Sequence, residues 1–457
     1  MPVHRARHVK CGEEKPTCQR CRDVGRPCGG YKAALSPSEG HGSSPTPSLS
    51  PAALPGLMSP VQNAVERRYF NYFRQHTIPD LAGYDSQSYF WNYIVLQTCH
   101  ASPAVLHAAL ALGALYEHTH NGSAASDDKI GRLILQQSNK AIRNLCIQGP
   151  KPPVQVALVC CVVFICLGNA QGDHEGALRH LQNGLSMLEE WRLQEGGTKS
   201  TRVQETFAQV FCRLDIQATS FLDSRQPRLY SNSFNGVSAY GSIIPKSFAS
   251  LSDAQVVLES IAIRSFYSLT SKTQVHYASQ KYDDCISARE VILQGLAARL
   301  NQWHGTFEAF LAAHRATMQR NDLQFSVLLK LHHRTMSLML RLKSDPDFAA
   351  SAALDSPKEV EFSSIISAAR SLISSSTTPS RLKFTAEMGI IAPLYFTAMK
   401  SISAQIQRDA VELISKCNRR EGFWDPEMVA KIAGRVLESR DGVGPGGIPD
   451  LAKLYLT

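Results

Sequence analysis

Apolar residues recur at three- to four-residue intervals along most of the chain after Pro60, the spacing that one face of an α-helix requires. The first such stripe consists of Val65, Tyr69, Tyr72 and Phe73. We expect Pro79 to end this helix, because proline lacks a backbone N–H. Ser102 and Pro103 are typical of the cap and the first position of a further helix. The apolar side of that helix consists of Val105, Ala109, Leu112 and Tyr116.

Two longer periodic segments extend this helical pattern. Asp173 precedes one of them, and the other runs from Leu323 to Leu342. The first carries the stripe Ala177, Leu181, Leu185, Leu188 and Trp191. Neither contains a proline, and strand-like alternation and Gly-rich turns are sparse. We therefore expect an all-α fold, with residues 61–457 as one helical domain. No repeat of fixed length is visible, so a regular solenoid is not supported, whereas irregular stacking of helix pairs stays open.

The segment before this domain has a different composition. Positions 36–60 hold six Pro, seven Ser and three Gly, with no apolar periodicity. Such a sequence cannot bury enough apolar surface to offset the entropy lost on ordering. The sequence therefore predicts three parts: a short cysteine-rich segment at 1–32, a disordered Pro/Ser-rich linker at 33–60 and the helical domain at 61–457.

The longest apolar run, Val156 to Gly168, has about a dozen residues, whereas a membrane-spanning helix needs about 20. We therefore expect no membrane span. The start, Met1 to Cys11, is basic and lacks the apolar stretch of a secretory signal. We expect the protein to stay inside the cell, with its cysteines mostly reduced.

Positive charge is concentrated in the cysteine-rich segment. Residues 1–32 hold eight Lys or Arg and three acidic residues, a net charge of +5 out of +9 for the whole chain. A basic block beside clustered cysteines suits a polyanionic partner, whereas the nearly neutral remainder does not.

Four of the twelve cysteines follow a metal-binding spacing, C-x6-C-x2-C-x6-C, formed by Cys11, Cys18, Cys21 and Cys28. The middle pair can chelate one metal ion from a single turn, and thiolates at this spacing favour tetrahedral Zn²⁺. The alternative is four unrelated buried cysteines. It has little support, because the segment has almost no large apolar residues to bury them and is not expected to fold without metal.

These residues carry a family resemblance, through the strings Arg5–Cys11, Lys15–Cys21 and Gly25–Tyr31. The segment resembles the fungal six-cysteine binuclear zinc cluster of transcription factors. In that family two zinc ions share six cysteines, C-x2-C-x6-C before a loop and C-x2-C-x6-C after it. The second half is complete here, but His4 and Met1 occupy the positions of the first two cysteines. We expect one zinc ion on the four cysteines; a coding segment upstream that supplies the missing pair is the alternative.

The resemblance also implies how DNA is read. In complete members, basic residues just before the third cysteine lie on a short helix in the major groove and read a CGG-like triplet. By position these are Arg7 and His8, with Lys10 near phosphate and Arg5 completing the basic set. Long cationic side chains at a helix end can donate to guanine O6 and N7, whereas a neutral histidine is a weaker donor. The alternative for the basic block is a solvated charged face or a nuclear-import tag.

Three short strings in the remainder carry a second resemblance: Glu66–Phe70, Ser102–Val105 and Cys417–Asp425. They resemble the fungal-specific transcription-factor regulatory domain found behind such clusters. The resemblance implies an all-helical fold and a regulatory role.

The last of these strings also has a structural interpretation. Gly422 would end one helix, Asp425 with Pro426 would cap and begin the next, and Trp424 would pack the corner. A surface for a partner or ligand is the alternative. The adjacent His332 and His333 are expected to be hydrogen-bonded helix residues and not metal ligands.

We expect a nuclear regulator of RNA polymerase II transcription, pathway-specific in a fungus. The zinc segment would bind DNA, and the helical domain would serve activation, repression or effector sensing, with the transcription machinery or a small molecule as partner. Any homodimer should form through the helical domain, because residues 33–60 hold no heptads. A second hypothesis, favoured by the missing first pair of cysteines, is an interaction or ligand-sensing protein that has lost specific DNA binding. An enzyme is not expected, because no catalytic constellation is visible.

Overall fold

The structure is a computed structural model of the 457-residue chain. It describes residues 61, 63–121, 127–147, 152–194, 201–221, 243–270, 282–374 and 383–442. The cysteine-rich segment 1–32 and the linker 33–60 lie outside the described residues, and so do the predictions made for them. The described residues fall within one unit, Ser59–Thr457.

The described part of the chain is helical almost throughout, which confirms the predicted all-α class. Its α-helices are α1 Ala64–Tyr72, α2 Ile78–Ala82, α3 Leu96–Ala101, α4 Pro103–Asn121, α5 Asp127–Ile147, α6 Val154–Gln171, α7 His174–Gln194, α8 Arg202–Phe221, α9 Leu251–Thr270, α10 Tyr282–His314, α11 Arg320–Ser344, α12 Pro346–Ala350, α13 Pro357–Ser374, α14 Ile391–Lys400, α15 Ala404–Ser415 and α16 Pro426–Gly442. Two π-helical turns, Phe73–Thr77 and Phe90–Val95, and one 3₁₀ turn, Arg315–Thr317, join some of them. Two three-residue strands, β1 Lys383–Thr385 and β2 Arg419–Glu421, pair in parallel.

Most residues of the predicted apolar stripes lie on the buried faces of their helices, but Val65 of the first stripe is 51% exposed. In α7, Asp173 caps the helix as expected, since its Oδ1 accepts the N–H of Gly176 at 2.9 Å. Helix α11 includes the whole periodic segment from Leu323 to Leu342. Helix α4 begins at Pro103, as predicted. The residues of its stripe, Val105, Ala109, Leu112 and Tyr116, are buried.

The predicted side-chain cap of α4 is wrong. The hydroxyl of Ser102 is buried and finds no hydrogen-bond partner among the described residues. Its carbonyl instead accepts the N–H of Leu106 at 3.1 Å, as the residue before a helix does in any sequence. The start of α4 therefore depends on Pro103 and on packing, because the serine side chain contributes no capping bond.

Pro79 does not end the first helix, contrary to the sequence prediction. The backbone widens into the π-helical turn Phe73–Thr77, and the N–H of Ile78 donates to the carbonyl of Phe73, five residues back. Pro79 then lies in the first turn of α2, where a missing N–H breaks no intrahelical bond. Helical backbone continues to Ala82, and Gly83 ends it with a φ of +61°.

Helix α6 is apolar around its whole circumference. Its 18 residues have a mean hydropathy of 2.0, and by length and composition alone the helix could cross a membrane. Two thirds of it (67%) is buried inside the protein, which is typical of a core helix. The apolar run counted from the sequence, Val156 to Gly168, is shorter than the apolar helix that the structure shows, Val154–Gln171. The absence of a membrane span therefore stays a prediction. The length of the helix does not support this prediction, but its burial inside the protein does.

Three apolar cores hold the helices together. The first is built mainly by α1 and α4 to α8, the second by α11 and α13 to α16, and the third by α9, α10 and α11. Helix α11 belongs to two of them, because Leu328 and Leu331 face the second core while Phe325 and Leu329 face the third.

The string Arg419–Asp425 joins the first core to the second. Phe423 is buried in the first core and Trp424 in the second. The guanidinium of Arg420 donates to the carbonyls of Asn169 and Ala170 at the end of α6, at 3.3 and 3.1 Å. The interpretation of this string as a structural corner is therefore confirmed.

The details of this corner confirm one prediction and correct another. Asp425 caps α16, since its Oδ1 accepts the N–H groups of Glu427 and Met428 at 2.9 and 3.1 Å. Gly422 was expected to end a helix, but it follows β2, with a φ of +57°, and its N–H donates to Thr385 at 2.7 Å. Three-residue strands paired across 36 positions of chain leave no local pattern in the sequence, so the strand pair could not be predicted.

Candidate functional site

The predicted metal and DNA residues all lie in the segment 1–32, outside the described residues. They are Cys11, Cys18, Cys21 and Cys28 for zinc, and Arg5, Arg7, His8 and Lys10 for DNA. Among the residues that the structure describes, no group of three or more His, Cys, Asp or Glu side chains is placed to hold a metal ion. The site that the described residues do form is a cavity in the helical part.

This cavity has a volume of about 340 Å³, within the range of small-molecule sites. Four helices supply most of its wall: α8, α9, α11 and α14. Each presents residues at helical spacing, so that one face of each helix lines the cavity. These faces comprise Arg213, Ile216 and Ser220; Gln255, Leu258, Glu259, Ala262, Ile263 and Phe266; Leu329, His332, Thr335, Met336 and Met339; and Ala392, Pro393, Tyr395, Phe396, Met399 and Lys400.

The wall is mostly apolar and rich in thioethers. Met336, Met339, Met388 and Met399 all line the cavity. Methionine side chains are flexible and polarisable, so a wall built from them adapts to the shape of an apolar guest. Trp424 closes part of the wall beside Tyr395, with 5.6 Å between the ring centroids. The structural corner thus also contributes to the cavity.

One group of lining residues is charged. The side chain of Arg213 is only 16% exposed, and its guanidinium donates to Glu259 at 2.9 Å and also to Glu387. Burial by itself lowers the pKa of Arg213, but the charges of Glu259 and Glu387 outweigh it and hold that pKa above its usual value. The Nε atom of Arg213 is buried and has no hydrogen-bond partner among the described residues. Arg213 is therefore a fixed cation whose Nε–H has no acceptor among the described residues.

The carboxylates around Arg213 outnumber it. Burial raises the pKa of Glu387 to about 8, against the opposing effect of Arg213. Burial also raises the pKa of Asp85, although that carboxylate accepts a hydrogen bond from Ser252 at 2.6 Å. Because one guanidinium serves several carboxylates, this group of residues carries no excess positive charge.

His332 and His333 are both hydrogen-bonded, as expected from the sequence. His332 lines the cavity, and its Nε2 donates to the carbonyl of Gly389 at 2.7 Å. The Nε2 of His333 donates to the carbonyl of Leu300 at 3.1 Å. Burial lowers the pKa of both, that of His333 to about 4. Both are therefore neutral at physiological pH.

Sequence reasoning missed the cavity entirely. Its lining residues recur at the same three- to four-residue spacing as the residues of the cores, so periodicity cannot separate a face that meets a neighbouring helix from one that meets an open volume. The methionines are spread over three segments of the chain, and Arg213, Glu259 and Glu387 lie far apart in sequence. No local signal identifies either set.

Comparison with known protein families matches two segments of the chain. Residues 68–339 match the fungal specific transcription factor domain, and residues 5–38 match the fungal Zn(2)-Cys(6) binuclear cluster domain. Since the first match covers more than half of the chain, the protein belongs to the family of the fungal specific transcription factor domain. Both resemblances expected from the sequence are thereby confirmed.

Two curated relatives are regulators of transcription. The aspercryptin biosynthesis cluster-specific transcription regulator atnN of Emericella nidulans is 24% identical over 94% of this chain and 85% of its own length. The transcription regulator lscL of Purpureocillium lilacinum is 27% identical over 41% of this chain and 48% of its own length. No solved structure gives a significant match.

These matches confirm the leading hypothesis on function. The chain is a zinc-binding, DNA-binding regulator of transcription of the fungal zinc-cluster class. The regulatory-domain match ends at residue 339, so it includes α8, α9 and most of α11, whereas α14, the fourth wall of the cavity, lies beyond it.

Proposed function

We propose that this protein acts in the nucleus as the specific regulator of a biosynthetic gene cluster. The observation that carries the proposal is the order of the two family matches, zinc cluster first and regulatory domain second, in a chain aligned over 94% of its length with a cluster-specific regulator. Expression of the chain fused to a fluorescent protein tests its nuclear location. Deletion of the gene, followed by transcript measurement of the neighbouring biosynthetic genes, tests the pathway role.

We further propose a division of labour along the chain. Residues 1–32 hold zinc and contact DNA, 33–60 form a linker, and 61–457 form the regulatory domain. Cys11, Cys18, Cys21 and Cys28 are the proposed zinc ligands. The proposed DNA contacts are Arg5, Arg7, His8 and Lys10. The spacing of the four thiols suits one tetrahedral ion, and the positive charge of this segment suits a phosphate backbone.

Zinc analysis of the purified chain tests the ligand assignment. We expect about one zinc ion per chain from these four thiolates. Cys18→Ser should lose it, whereas Cys146→Ser should retain it, because Cys146 is an exposed cysteine of α5 outside the segment. Two zinc ions per chain would show that further ligands complete a binuclear cluster.

DNA binding by the same chain tests the contacts. With one zinc ion we expect salt-sensitive, non-specific binding, with dissociation constants of about 10⁻⁴ to 10⁻⁶ M at physiological salt. Replacing Arg5, Arg7 or Lys10 by Ala should weaken this binding and flatten its salt dependence. A preference for CGG-containing DNA of several hundredfold would contradict this expectation and show that the segment reads sequence as complete members do.

The second candidate function is that of an interaction or ligand-sensing protein without specific DNA binding. The cavity favours a sensing role, and the DNA measurement above distinguishes the two candidates. No enzymatic activity is proposed, because both matched families are families of regulators. Formation of a homodimer through the helical domain stays a prediction, which light scattering of the full chain would check.

A further inference from the structure

We propose that the cavity between α8, α9, α11 and α14 binds one uncharged, elongated, lipophilic small molecule that has a polar group at one end. The proposal adds a ligand class to the regulator described above, and in that sense rests on it. Binding itself does not require DNA or zinc. It can therefore be tested separately from the function proposed above.

The lining residues define the length of the ligand. On α9 they extend from Gln255 to Phe266, and on α11 from Leu329 to Met339. At 1.5 Å of rise per residue, each stretch covers about 15 Å. A volume of about 340 Å³ along walls of that length accommodates an elongated molecule, and we refer to it below as the channel. An elongated molecule fits this shape better than a compact one.

Polarity changes along the channel. In α8, α9 and α11 the lining residues that come first include Arg213, Gln255, Glu259 and His332. The lining residues that follow on α9 and α11 are mainly apolar, ending at Phe266 and Met339. Since Arg213 contacts Glu259, these polar groups lie together at one end of the channel. The ligand should therefore have an apolar body and one polar end.

Arg213 is held by two carboxylates at that polar end. Its Nη atoms are used by Glu259 and Glu387, while its buried Nε has no hydrogen-bond partner among the described residues. This Nε is buried from the open volume as well, so it is not a donor that a ligand in the cavity reaches. The polar end of the ligand is therefore expected to contact the paired side chains of Arg213 and Glu259, which line the cavity.

The charges at this end favour a neutral ligand. Arg213 and Glu259 line the cavity as a pair whose charges cancel, so a charged head group of either sign would face a like charge as well as an opposite one. The competing chemistry is a carboxylate, because Lys400, an exposed residue of α14, also lines the cavity. The head group therefore has to be tested directly.

The experiment uses the purified full-length chain and the neutral fluorescent dye Nile red. Wild-type protein should bind about one dye molecule, with and without a zinc chelator. Three competitors share one chain length and differ in the head group: methyl laurate, laurate and laurylamine. We expect methyl laurate to displace the dye at a concentration at least about tenfold lower than either charged competitor, a difference of about 1.4 kcal/mol. Failure of the dye to bind, or equal displacement by a charged competitor, would overturn the proposal.

Variants that fill the cavity test its location. Ala262→Phe and Ala392→Phe each place a ring into the channel and should weaken dye binding at least about tenfold. Ala312→Phe adds the same ring at an exposed position of α10 and should leave binding unchanged. Wild-type affinity in a folded Ala262→Phe or Ala392→Phe chain would refute the assignment.

A second measurement does not depend on how these variants fold. A photoreactive diazirine analogue of methyl laurate, bound to the wild-type chain and irradiated, should label peptides from 255–266 or 329–339. Labelling confined to other peptides would overturn the proposal.

Discussion

At the scale of single residues, two buried positions are sensitive to substitution: a carboxyl group shielded from water and a glycine with a positive φ. Glu387 shares the guanidinium of Arg213 with Glu259, and burial raises its pKa to about 8. Gly422 occupies the left-handed region of backbone space beside the side chain of Gln217. A substitution at either position should therefore have an effect on stability that the same substitution at the surface would not have.

Replacement of Glu387 by Gln should change how stability depends on pH. The folded chain keeps the proton of Glu387 up to about pH 8, whereas the unfolded chain loses it near the ordinary value of 4.5. The stabilisation is full below pH 4.5 and is lost as the pH rises to 8. The free energy of unfolding of Glu387→Gln relative to wild type should therefore rise across this window, by at most about 1.4 kcal/mol per pH unit.

Urea unfolding at four pH values between 5 and 8 measures this slope. Glu427→Gln is the matched control, because Glu427 is an exposed residue of α16 whose pKa is lowered by Lys431. The control should show no slope in the window. A flat difference for Glu387→Gln would mean that Glu387 ionises normally in the folded chain.

Replacement of Gly422 by Ala should destabilise the protein by about 2–4 kcal/mol. Its φ of +57° disfavours any side chain, and an added Cβ would lie 1.6 Å from Oε1 of Gln217. Gly434→Ala, in α16, is the control, because no atom lies within 4 Å of the added Cβ. It should stabilise the helix by about 0.5–1 kcal/mol. Denaturant titration of both variants measures whether the free energy of unfolding falls in Gly422→Ala and rises in Gly434→Ala. An equal change in both variants would contradict the structure.

At the scale of elements, α14 depends on a side chain supplied from elsewhere in the chain. No side chain of Ile390 or its neighbours caps this helix. Instead the buried carboxylate of Glu421, in β2, accepts the N–H groups of Gly389, Ile390 and Ile391 at 3.1, 3.0 and 2.9 Å. A negative charge at a helix N-terminus is also favoured by the helix dipole. The strand pair thereby fixes the start of a helix that lines the cavity.

Replacement of Glu421 by Ala should cost about 2–4 kcal/mol, because three buried N–H groups lose their acceptor. The control is Glu412→Ala, which removes only an exposed pair with Lys416 on α15 and should cost less than about 0.5 kcal/mol. Unfolding by guanidinium measures both. Nile red affinity should fall in Glu421→Ala if the start of α14 shapes the cavity, and should not change in the control.

At the scale of the whole molecule, the helical part is held together by shared elements. Helix α11 packs in two cores, and the corner at Phe423 and Trp424 joins two cores. The cavity lies among helices that contribute to all three cores. Most of the cysteines in the described residues are buried, and burial raises the pKa of their thiols, that of Cys161 to about 12. Among the residues that the structure describes, no three or more His, Cys, Asp or Glu side chains are grouped so that they could hold a metal ion.

The helical part should therefore keep its structure when zinc is removed. Circular dichroism of the full chain, with and without chelator, should show nearly the same helical signal and the same melting temperature for the helical transition. In the same samples a thiol reagent should label Cys146, which is exposed, well before the buried cysteines of α6. Loss of most of the helical signal on chelation would show that a structural metal exists in this part of the chain.

The amino-acid sequence by itself determined the class of the molecule and most of its helices. Periodicity predicted α4, α7 and α11, and Asp173 and Asp425 cap helices as their positions indicated. These features depend on neighbours three or four residues away, so they can be read locally. The cysteine spacing likewise predicted zinc from the stretch between Cys11 and Cys28, and the family match agrees.

Only the tertiary structure decided the rest. A π-helical turn carries the chain past Pro79, and β2 pairs with β1 where a helix end was expected at Gly422. The Arg213 group and the cavity bring together residues from helices that are far apart in sequence. The physical reason is that one apolar face looks the same in sequence whether it packs against a neighbouring helix or borders an open volume, and only the relative placement of the helices distinguishes the two.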